Sequence, residues 1–361
     1  MREQAMGSGP KVRVAVNGYG VIGKRVAEAV GLQSDMVLAG VADVASDWRL
    51  AVAVDKGFGV FGATAPAAVA MRAAGLAVSG EVHDLLAAAD IVVDCTPKNI
   101  AATNIEAYRK LGLKFIVQGG EKHAVTGHSF VAESSYESAI GRQSTRVVSC
   151  NTTSIVRTLT ALKRAGLLYN ARGTLLRRAT DPWESHETGI MNTLVPEPGI
   201  PSHQGPDARS VDPDLDVVTM AVKVPETLGH LHFWNVRMTR TAGKEEVLDA
   251  FRASTRIALV RGDHGLRALN SIKEWMLDIG RPHGDLYEVA IWADMLTVRG
   301  DELFYAYMVD NQAIVIPETI DAIRALAGTE TDAAASISAT NTALGIGDLN
   351  GLNTLAPGAD P

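Results

Sequence analysis

Short apolar stretches alternate with amphipathic ones through the first 150 residues of the chain. The apolar stretches predict buried strands, and they cover residues 11–18, 36–43, 89–97, 114–120 and 145–150. Segments with helical spacing, "KRVAEAVGL" and "NIEAYRKLGL", follow the first and the third of them. Strands separated by helices in this rhythm predict a parallel sheet with helices on both faces.

The pattern changes after residue 150, where longer strands replace the regular alternation. Predicted strands cover 217–225, 231–240 and 287–309, and an Arg-Gly-Asp turn folds the last of them into a hairpin. Predicted helices cover about 151–166, 244–260, 263–280, 316–328 and 330–345, and residues 181–213 read as irregular. The fold class is therefore α/β. A parallel-sheet domain is expected over 11–149, and an α+β domain with a mixed or antiparallel sheet over 150–314. The helices of about 315–347 are expected to pack back on the first domain.

Composition narrows the function classes. Of the 361 residues, 47% are hydrophobic and 21% are charged, as in ordinary globular proteins. The formal net charge of -7 argues against nucleic acid as a partner, so an anionic substrate needs a local cluster of positive charge. Two cysteines make no disulfide framework, and no apolar stretch reaches membrane-spanning length. We expect a cytoplasmic protein with no membrane partner.

A glycine motif follows the first strand. The segment Asn17, Gly18, Tyr19, Gly20, Val21, Ile22 and Gly23 has the spacing G-x-G-x-x-G and opens a helix. In that context the glycines let the backbone approach a pyrophosphate, which rests on the helix N-terminus. The alternative is a tight turn without a ligand. The motif predicts a Rossmann domain, and we expect Thr96 and Gly119, which follow two other strands, to contact the same dinucleotide.

An acidic residue ends the second predicted strand. Asp43 lies twenty residues after Gly23, where a carboxylate can bind a ribose 2′-hydroxyl and repel the extra phosphate of NADP. Asp43 therefore favours NAD as the cofactor. The alternatives are an exposed turn aspartate and, because Arg49 and Lys56 lie downstream, use of NADP as well.

Cys150 ends a strand and begins a helix. It is either a small core residue or a nucleophile, since a helix N-terminus stabilises a thiolate and offers N–H groups to an oxyanion. A dinucleotide and a thiolate at one sheet edge suggest a single reaction, in which the thiolate attacks an aldehyde and the hemithioacetal loses hydride. The resulting thioester is released by a second nucleophile. The hydroxyls of Thr152 and Thr153 would suit phosphate in that role.

Candidate bases and cations lie further along the chain. His230 and His232 share one strand face, so either is a candidate base, a packed core histidine or, less well supported, a zinc ligand. Arg177 and Arg178 are adjacent on a strand and face opposite sides, so one of them is expected to reach an anionic substrate. His203 lies in a polar turn and is either a phosphate contact or a plain surface residue.

Several motifs occur in a familiar order: "VNGYGVIGKRVAEAV", "VQGGEKH", "RVVSCNTTSIVRTL", "RRATDP", "PSHQGPD" and "TMAVKVPETLGHLH". Together they resemble the archaeal-type (type II) phosphorylating glyceraldehyde-3-phosphate dehydrogenases over about residues 11–347. The resemblance implies an oxidoreductase of glycolysis or gluconeogenesis that forms a homotetramer. It would oxidise glyceraldehyde 3-phosphate with inorganic phosphate and NAD or NADP to 1,3-bisphosphoglycerate, without a metal.

The resemblance also implies roles for particular residues. Cys150 would be the nucleophile and His230 the catalytic base, with His232 as second choice. The substrate and phosphate site would hold Asn151, Thr152, Thr153, Arg177, Arg178 and His203.

This chain departs from the family pattern at several positions. Asp43 replaces the residues that suit NADP, and Gln204 follows His203 where the family has a second histidine. "DNQAIVIPE" replaces a Gln-Glu-Ser segment, which leaves Asn311 to meet the nicotinamide amide, and "DPWESHETG" differs from the usual loop. Two alternatives follow: a paralogue acting on another aldehyde or acyl phosphate, and a catalytically silent nucleotide-sensing protein.

Overall fold

The computed structural model describes residues 10–179, 194–347 and 349. Its first sheet has eight parallel strands. In spatial order they are Gly80–Glu81, Val60–Gly62, Met36–Asp43, Val12–Asn17, Ile91–Asp94, Lys114–Val117, Ser144–Val147 and Ser129–Phe130. The chain order reverses beside Val12–Asn17, so this is the doubly wound arrangement in which a crevice opens at the carboxyl ends of the central strands. The parallel sheet predicted for the N-terminal part is confirmed.

The second sheet is mixed, as predicted for the C-terminal part. In spatial order its strands are Val195–Pro196, Val217–Val224, Leu168–Arg178, His230–Met238, Glu302–Val309, Val289–Trp292 and Ile257–Val260, and Thr297–Arg299 pairs with Glu302–Val309 as a hairpin. Leu168–Arg178 runs parallel to one neighbour and antiparallel to the other. Its alternate residues are buried against the helix Cys150–Arg164, which we call the Cys150 helix.

Helices cover both sheets. The α-helices of the described residues are Val21–Gly31, Trp48–Asp55, Ala65–Ala73, Val82–Ala87, Ala101–Lys110, Ala132–Ala139, Cys150–Arg164, Gln204–Arg209, Lys244–Arg252, Leu269–Asp278, Val315–Ala327 and Ala333–Leu344. None of the helices in this part of the chain is both long enough and apolar enough to cross a membrane.

Two predicted helices were too long, and the one expected over about 263–280 spans only Leu269–Asp278. The helix expected over about 244–260 ends at Arg252, and Ile257–Val260 is a strand. The apolar run "IALV" is nearly buried and pairs in parallel with Val289–Trp292, so the sheet partner decides its conformation. Helical spacing alone could not reveal that partner, because a short buried run fits a strand or a helix equally well.

The helix Val315–Ala327 is buried along almost its whole length. It packs against Val21–Gly31, Ala132–Ala139 and two strands of the first sheet, so the C-terminal part of the chain returns to the parallel-sheet layer. Buried ion pairs also hold this helix in place. Its Glu318 pairs with Arg157 of the Cys150 helix and with Arg256. The Cys150 helix is thereby tied to both sheets.

Candidate active site

The glycine-rich loop Gly18–Gly23 lies at the carboxyl edge of the first sheet. Gly18 has φ +95°, and a Cβ there would lie 2.7 Å from the carbonyl carbon of Cys95. A Cβ at Gly23 would lie 1.8 Å from the oxygen of Gly18, so these two glycines let the loop pack. A Cβ at Gly20, by contrast, would meet no described atom within 4 Å. The middle glycine therefore leaves an open face at the N-terminus of the helix Val21–Gly31, which suits a pyrophosphate.

Asp43 is tied to this loop. Its carboxylate accepts the backbone N–H of Tyr19 at 2.6 Å and that of Ala45 at 2.9 Å. The Tyr19 side chain is buried in the core, so this residue offers the loop its backbone rather than its ring. Val21 and Ile22 begin the helix and are half-buried. Nearby, Lys24 lies over the exposed ring of Trp48, with its Nζ 4.3 Å from the ring centre.

Three other predicted cofactor residues lie at or just beyond the carboxyl ends of central strands. Asn17 donates its amide to the Tyr108 hydroxyl at 2.8 Å, while its buried Oδ1 has no hydrogen-bond partner among the described residues. The Thr96 N–H donates to Asp94 at 3.0 Å. A Cβ at Gly119 would lie 2.3 Å from the nitrogen of Ser149, so Gly119 lets this strand end approach the start of the Cys150 helix. The cofactor edge and Cys150 are thus neighbours.

Cys150 is the first residue of its helix, which Ser149 caps by accepting the N–H of Thr152. The Sγ of Cys150 lies 3.3 Å from Nε2 of His230. On the other side of the His230 ring, the backbone N–H of Arg178 donates to Nδ1 at 3.1 Å. Because Nδ1 accepts that hydrogen bond, the neutral ring carries its proton on Nε2 and points it at the sulfur. As placed here, the Nε2–H of His230 donates toward Cys150, and the base role expected from the sequence stays a prediction.

Burial and the groups around the sulfur have opposite effects on the pKa of Cys150. Burial raises the pKa of Cys150, whereas Arg178, the backbone N–H of Asn151 and Arg177 each lower it. Burial lowers the pKa of His230 well below its ordinary value, and His232 and the two arginines lower it further. A neutral His230 therefore faces Cys150 across the neutral pH range, and stabilisation of a thiolate falls to the arginines and the helix N-terminus.

His232 lies on the same strand face as His230 but does not contact the sulfur. Its Nε2 lies 2.8 Å from Oδ1 of Asn151, and its Nδ1 lies 2.9 Å from the hydroxyl of Tyr307. Asn151 in turn directs its Nδ2 at Sγ of Cys150, 3.8 Å away. Burial lowers the pKa of His232 to about 3. Neither histidine belongs to a metal-binding group, since the described residues contain no cluster of three or more His, Cys, Asp or Glu that could hold a metal.

The two threonines have their hydroxyls turned inward. Thr152 is fully buried and donates to Asp207 at 2.8 Å, and the equally buried Thr153 donates to the carbonyl of Val148. Both hydroxyls are therefore engaged within the protein, and a phosphate contact by either side chain stays a prediction. Thr152 joins the start of the Cys150 helix to Asp207, which also pairs with Arg146 at 2.6 Å.

Two of the predicted phosphate residues converge on a carboxylate that the sequence analysis missed. Arg177 donates to Oε2 of Glu197 at 2.7 Å, and Nδ1 of His203 lies 2.5 Å from Oε1. Gln204 directs its amide at Oε2 from 3.5 Å. These donors face one small volume, which is the geometry that an anion requires. Glu197 lies in a Pro- and Gly-rich segment, where no periodicity marks its direction.

The two arginines take different positions relative to Cys150, and which of them reaches a substrate stays a prediction. Strand register places Arg177 beside His230, on the face covered by the Cys150 helix. Arg178 lies at the strand end, and its charge nevertheless lowers the pKa of Cys150 more than that of Arg177 does. Both charges act on the thiol.

Asn311 is buried in the segment after Glu302–Val309. Its neighbour Asp310 pairs with Lys273 at 2.6 Å, and the negative charge of Asp310 raises the pKa of Cys150. The charge of this segment therefore acts on the thiol, and a contact between Asn311 and the nicotinamide amide stays a prediction. The loop 183–189 lies outside the described residues.

The comparisons with known proteins agree with this geometry. Residues 149–272 match the family model of the glyceraldehyde 3-phosphate dehydrogenase C-terminal domain, and residues 12–120 match the dihydrodipicolinate reductase N-terminus. The chain is 45% identical to the glyceraldehyde-3-phosphate dehydrogenase of Methanococcoides burtonii, over 93% of this chain and 99% of the relative. The relative from Metallosphaera sedula is 42% identical over 93% and 98% of the two chains.

The chain belongs to the glyceraldehyde-3-phosphate dehydrogenase family. The resemblance drawn from the sequence motifs is thereby confirmed. The family's C-terminal domain model begins at Ser149, the cap of the Cys150 helix, and includes both histidines and both arginines described above. The two family models together indicate a nicotinamide cofactor.

Proposed function

We propose that this protein is a phosphorylating glyceraldehyde-3-phosphate dehydrogenase that converts glyceraldehyde 3-phosphate and inorganic phosphate to 1,3-bisphosphoglycerate. The observation that carries the proposal is the Cys150–His230 pair, 3.3 Å apart at a helix N-terminus beside the glycine-rich loop. A nucleophilic sulfur serves covalent catalysis, and with an aldehyde substrate the covalent intermediates are a hemithioacetal and a thioester. The curated relatives, which the chain covers almost completely, bear the same enzyme name.

The nicotinamide cofactor fits the first sheet. The open face of Gly20 and the unpartnered Oδ1 of Asn17 lie at the edge where the pyrophosphate and the rest of a dinucleotide would bind. When bound, the cofactor accepts the hydride from the substrate carbon. Asp43 places a carboxylate at the end of the second strand of the motif, which supports NAD as the preferred form.

The residues of the chain divide the chemistry between them. The Cys150 thiolate attacks the aldehyde carbon, forming the C–S bond and placing the carbonyl electron pair on oxygen as an alkoxide. Loss of hydride from that carbon re-forms the C=O bond and leaves a thioester. Phosphate then attacks the thioester carbon, and the C–S bond breaks to return the Cys150 thiolate.

His230 has a donor role in this scheme. Because the Arg178 N–H occupies Nδ1, the Nε2–H of His230 stabilises first the thiolate and then the alkoxide. No proton has to reach His230, because the thiol proton is lost to solvent before the attack. This role agrees with the lowered pKa of His230, which disfavours an imidazolium.

The anion-binding volume around Glu197 supports the phosphate site. Arg177, His203 and Gln204 direct donors at one carboxylate, and a phosphate group offers more acceptor oxygens to the same donors. The site lies on the sheet face that carries His230, so a phosphate held there is near the sulfur.

Assembly as a homotetramer is also a proposal. It is supported by exposed apolar side chains on the outer part of the second sheet: Met220 is 46% exposed, Phe233 40% and Met295 51%. Size-exclusion chromatography with light scattering tests the assembly, and a monomer at micromolar concentration would refute it. The cytoplasmic location is proposed from the two cysteines, neither of which is in a disulfide.

The decisive experiment measures the absorbance of the reduced cofactor with glyceraldehyde 3-phosphate, with and without phosphate, for the wild type and Cys150→Ser. We expect phosphate-dependent turnover that the variant loses by at least about a thousandfold. NAD and NADP are compared in parallel. Turnover that is equally fast without phosphate would refute the phosphorylating reaction. Faster turnover of an unrelated aldehyde would identify the paralogue.

A further inference from the structure

His232 lies behind the proposed catalytic pair in a fully buried polar cluster. It is 0% exposed, Asn151 is 4% exposed and Tyr307 is 0% exposed. Nothing in the scheme above uses His232, although burying an imidazole requires that both ring nitrogens find partners. The partners are Asn151 on Nε2 and Tyr307 on Nδ1.

The partners determine where the ring proton lies. Oδ1 of Asn151 has no proton, so Nε2 of His232 must donate to it. Nδ1 of the neutral ring is then an acceptor for the Tyr307 hydroxyl, which lies 2.9 Å away and closer to Nδ1 than to the Ser154 hydroxyl at 3.3 Å. Since burial lowers the pKa of His232 to about 3, the ring keeps this neutral form at every pH at which the enzyme would work.

The hydrogen bond from His232 also orients the Asn151 side chain. With Oδ1 bound to His232, the Nδ2 group of the same amide points to the opposite side, toward Sγ of Cys150 at 3.8 Å. The backbone of Asn151 is anchored as well, because Ser154 donates to its carbonyl at 2.8 Å. The amide can therefore rotate away from the sulfur only by breaking a buried hydrogen bond.

We propose that His232 is a positioning residue that aims the Asn151 amide at the reacting centre, where Nδ2 donates a hydrogen bond to the thiolate and then to the substrate alkoxide. The backbone N–H of Asn151 also hydrogen-bonds to the sulfur, so one residue supplies two donors at the helix N-terminus. His230 supplies a third from the opposite side. The part of this inference that concerns the alkoxide rests on the proposed function, whereas the part that concerns the thiolate does not.

The test compares variants of the intact protein by two independent measurements. The first is the pH dependence of Cys150 alkylation by iodoacetamide, which needs no substrate. The second is kcat and KM with glyceraldehyde 3-phosphate. The variants are His232→Leu, which removes the donor, and His232→Gln, whose amide can still donate to Asn151. A third variant, Tyr307→Phe, removes the partner of Nδ1 together with the longer contact to Ser154 and leaves the His232 donor in place. His128→Gln is the matched control, because His128 is another buried histidine held by two hydroxyls, those of Thr145 and Ser138.

We expect His232→Leu to slow alkylation near neutral pH about tenfold by moving its pH profile to higher pH. We expect kcat to fall ten- to a hundredfold with KM changed less than threefold. His232→Gln should recover most of both quantities, Tyr307→Phe should lie between, and His128→Gln should leave the alkylation profile unchanged. If His232→Leu does not fold, Tyr307→Phe and His232→Gln still test the order of effects.

Two results separate the inference from the proposed function. An alkylation profile that is unchanged in a folded His232→Leu or Tyr307→Phe protein would overturn the positioning role. Equal losses in His232→Gln and His232→Leu would also overturn it, because they would show that only the packing of the ring matters. If the profile shifts as expected but the wild type shows no turnover, the proposed function fails and the positioning of Asn151 stands.

Discussion

Replacing Glu318 by glutamine tests how the Cys150 helix is held. One carboxylate oxygen of Glu318 accepts Nε of Arg157 at 3.0 Å and Nη1 of Arg256 at 3.2 Å, and the other accepts the Ala132 N–H at 2.6 Å. All three charged side chains are 0% exposed. The substitution keeps the shape and one acceptor but leaves the two guanidinium groups with one buried carboxylate fewer.

The magnitude follows from this burial. Removing one partner of a buried ion pair costs about 3–5 kcal/mol, because the remaining charge stays desolvated. Asp321, which pairs with Arg256 at 2.6 Å, and the carbonyls that accept Arg157 offset part of the loss. We therefore expect Glu318→Gln to cost about 3 kcal/mol. For a chain of this length that is a fall in Tm of roughly 4 °C.

The assay is urea unfolding followed by tryptophan fluorescence, with thermal unfolding at two scan rates. Glu246→Gln is the control, because Glu246 pairs with Arg240 on the surface and its loss should leave Tm unchanged. A loss below about 1 kcal/mol for Glu318→Gln would refute the reasoning, because it would show that the buried charges are solvated or re-paired at little cost.

The ion pairs of Glu318 also predict how stability depends on pH. Burial raises the pKa of Glu318, but Arg157 and Arg256 outweigh it and hold the pKa below its ordinary value. The stabilisation is therefore complete above pH ~4.3, the ordinary pKa of glutamate, and is lost as pH falls through the lower folded-state pKa. The wild type should lose stability in this acid range more steeply than Glu318→Gln, as measured by Tm against pH.

Three further predictions concern the site. Asp43→Asn keeps an acceptor for the Tyr19 N–H but removes the negative charge that repels the extra phosphate of NADP. The ratio of kcat/KM with NADP to kcat/KM with NAD should therefore rise about tenfold, and an unchanged ratio would show that Asp43 does not face the ribose. Glu197→Gln removes the carboxylate that competes for Arg177 and His203, so the KM for phosphate should fall about threefold, whereas a rise would show that Glu197 organises the donors. Burial raises the pKa of Cys150, so the alkylation rate of the cofactor-free enzyme should still increase above pH ~8.5. Arg178→Gln should move this increase to higher pH, whereas an alkylation rate that is already constant at neutral pH would contradict the prediction.

The central strands and the glycine-rich loop could be predicted because their signals are local. A strand buried on both faces is apolar throughout. The motif G-x-G-x-x-G marks a tight turn whose glycine positions accept few other residue types. Residues 44–88 received no assignment, yet they hold three helices and the strands Val60–Gly62 and Gly80–Glu81. Their alanine-rich helices lack a strong apolar period, and a three-residue strand is recognisable only by its neighbour in the sheet.

The polar partners of the site could not be predicted from the sequence, for a different reason. Glu197 and Arg177 are 20 residues apart, and Asp207 and Arg146 are 61 apart, so no spacing rule joins them. An Arg and an acidic residue in a chain with 41 acidic side chains carry no signal by themselves. The fold selects each pair by bringing its two residues together, and the sequence pattern did not predict this.

For His230 and His232 the sequence pattern predicts the strand face but not the partner of each ring. Their spacing of two residues on a strand places both rings on the face toward the Cys150 helix, and so it predicts that both are near Cys150. It cannot separate them, because that depends on the residue opposite each ring. His230 meets the first turn of the helix at the sulfur, and His232, one step deeper, meets Asn151 and Tyr307. The same residue type thus takes a donor role to the sulfur at the mouth of the site and a role in orienting Asn151 behind it. Depth along one strand, rather than residue identity, distinguishes the two roles.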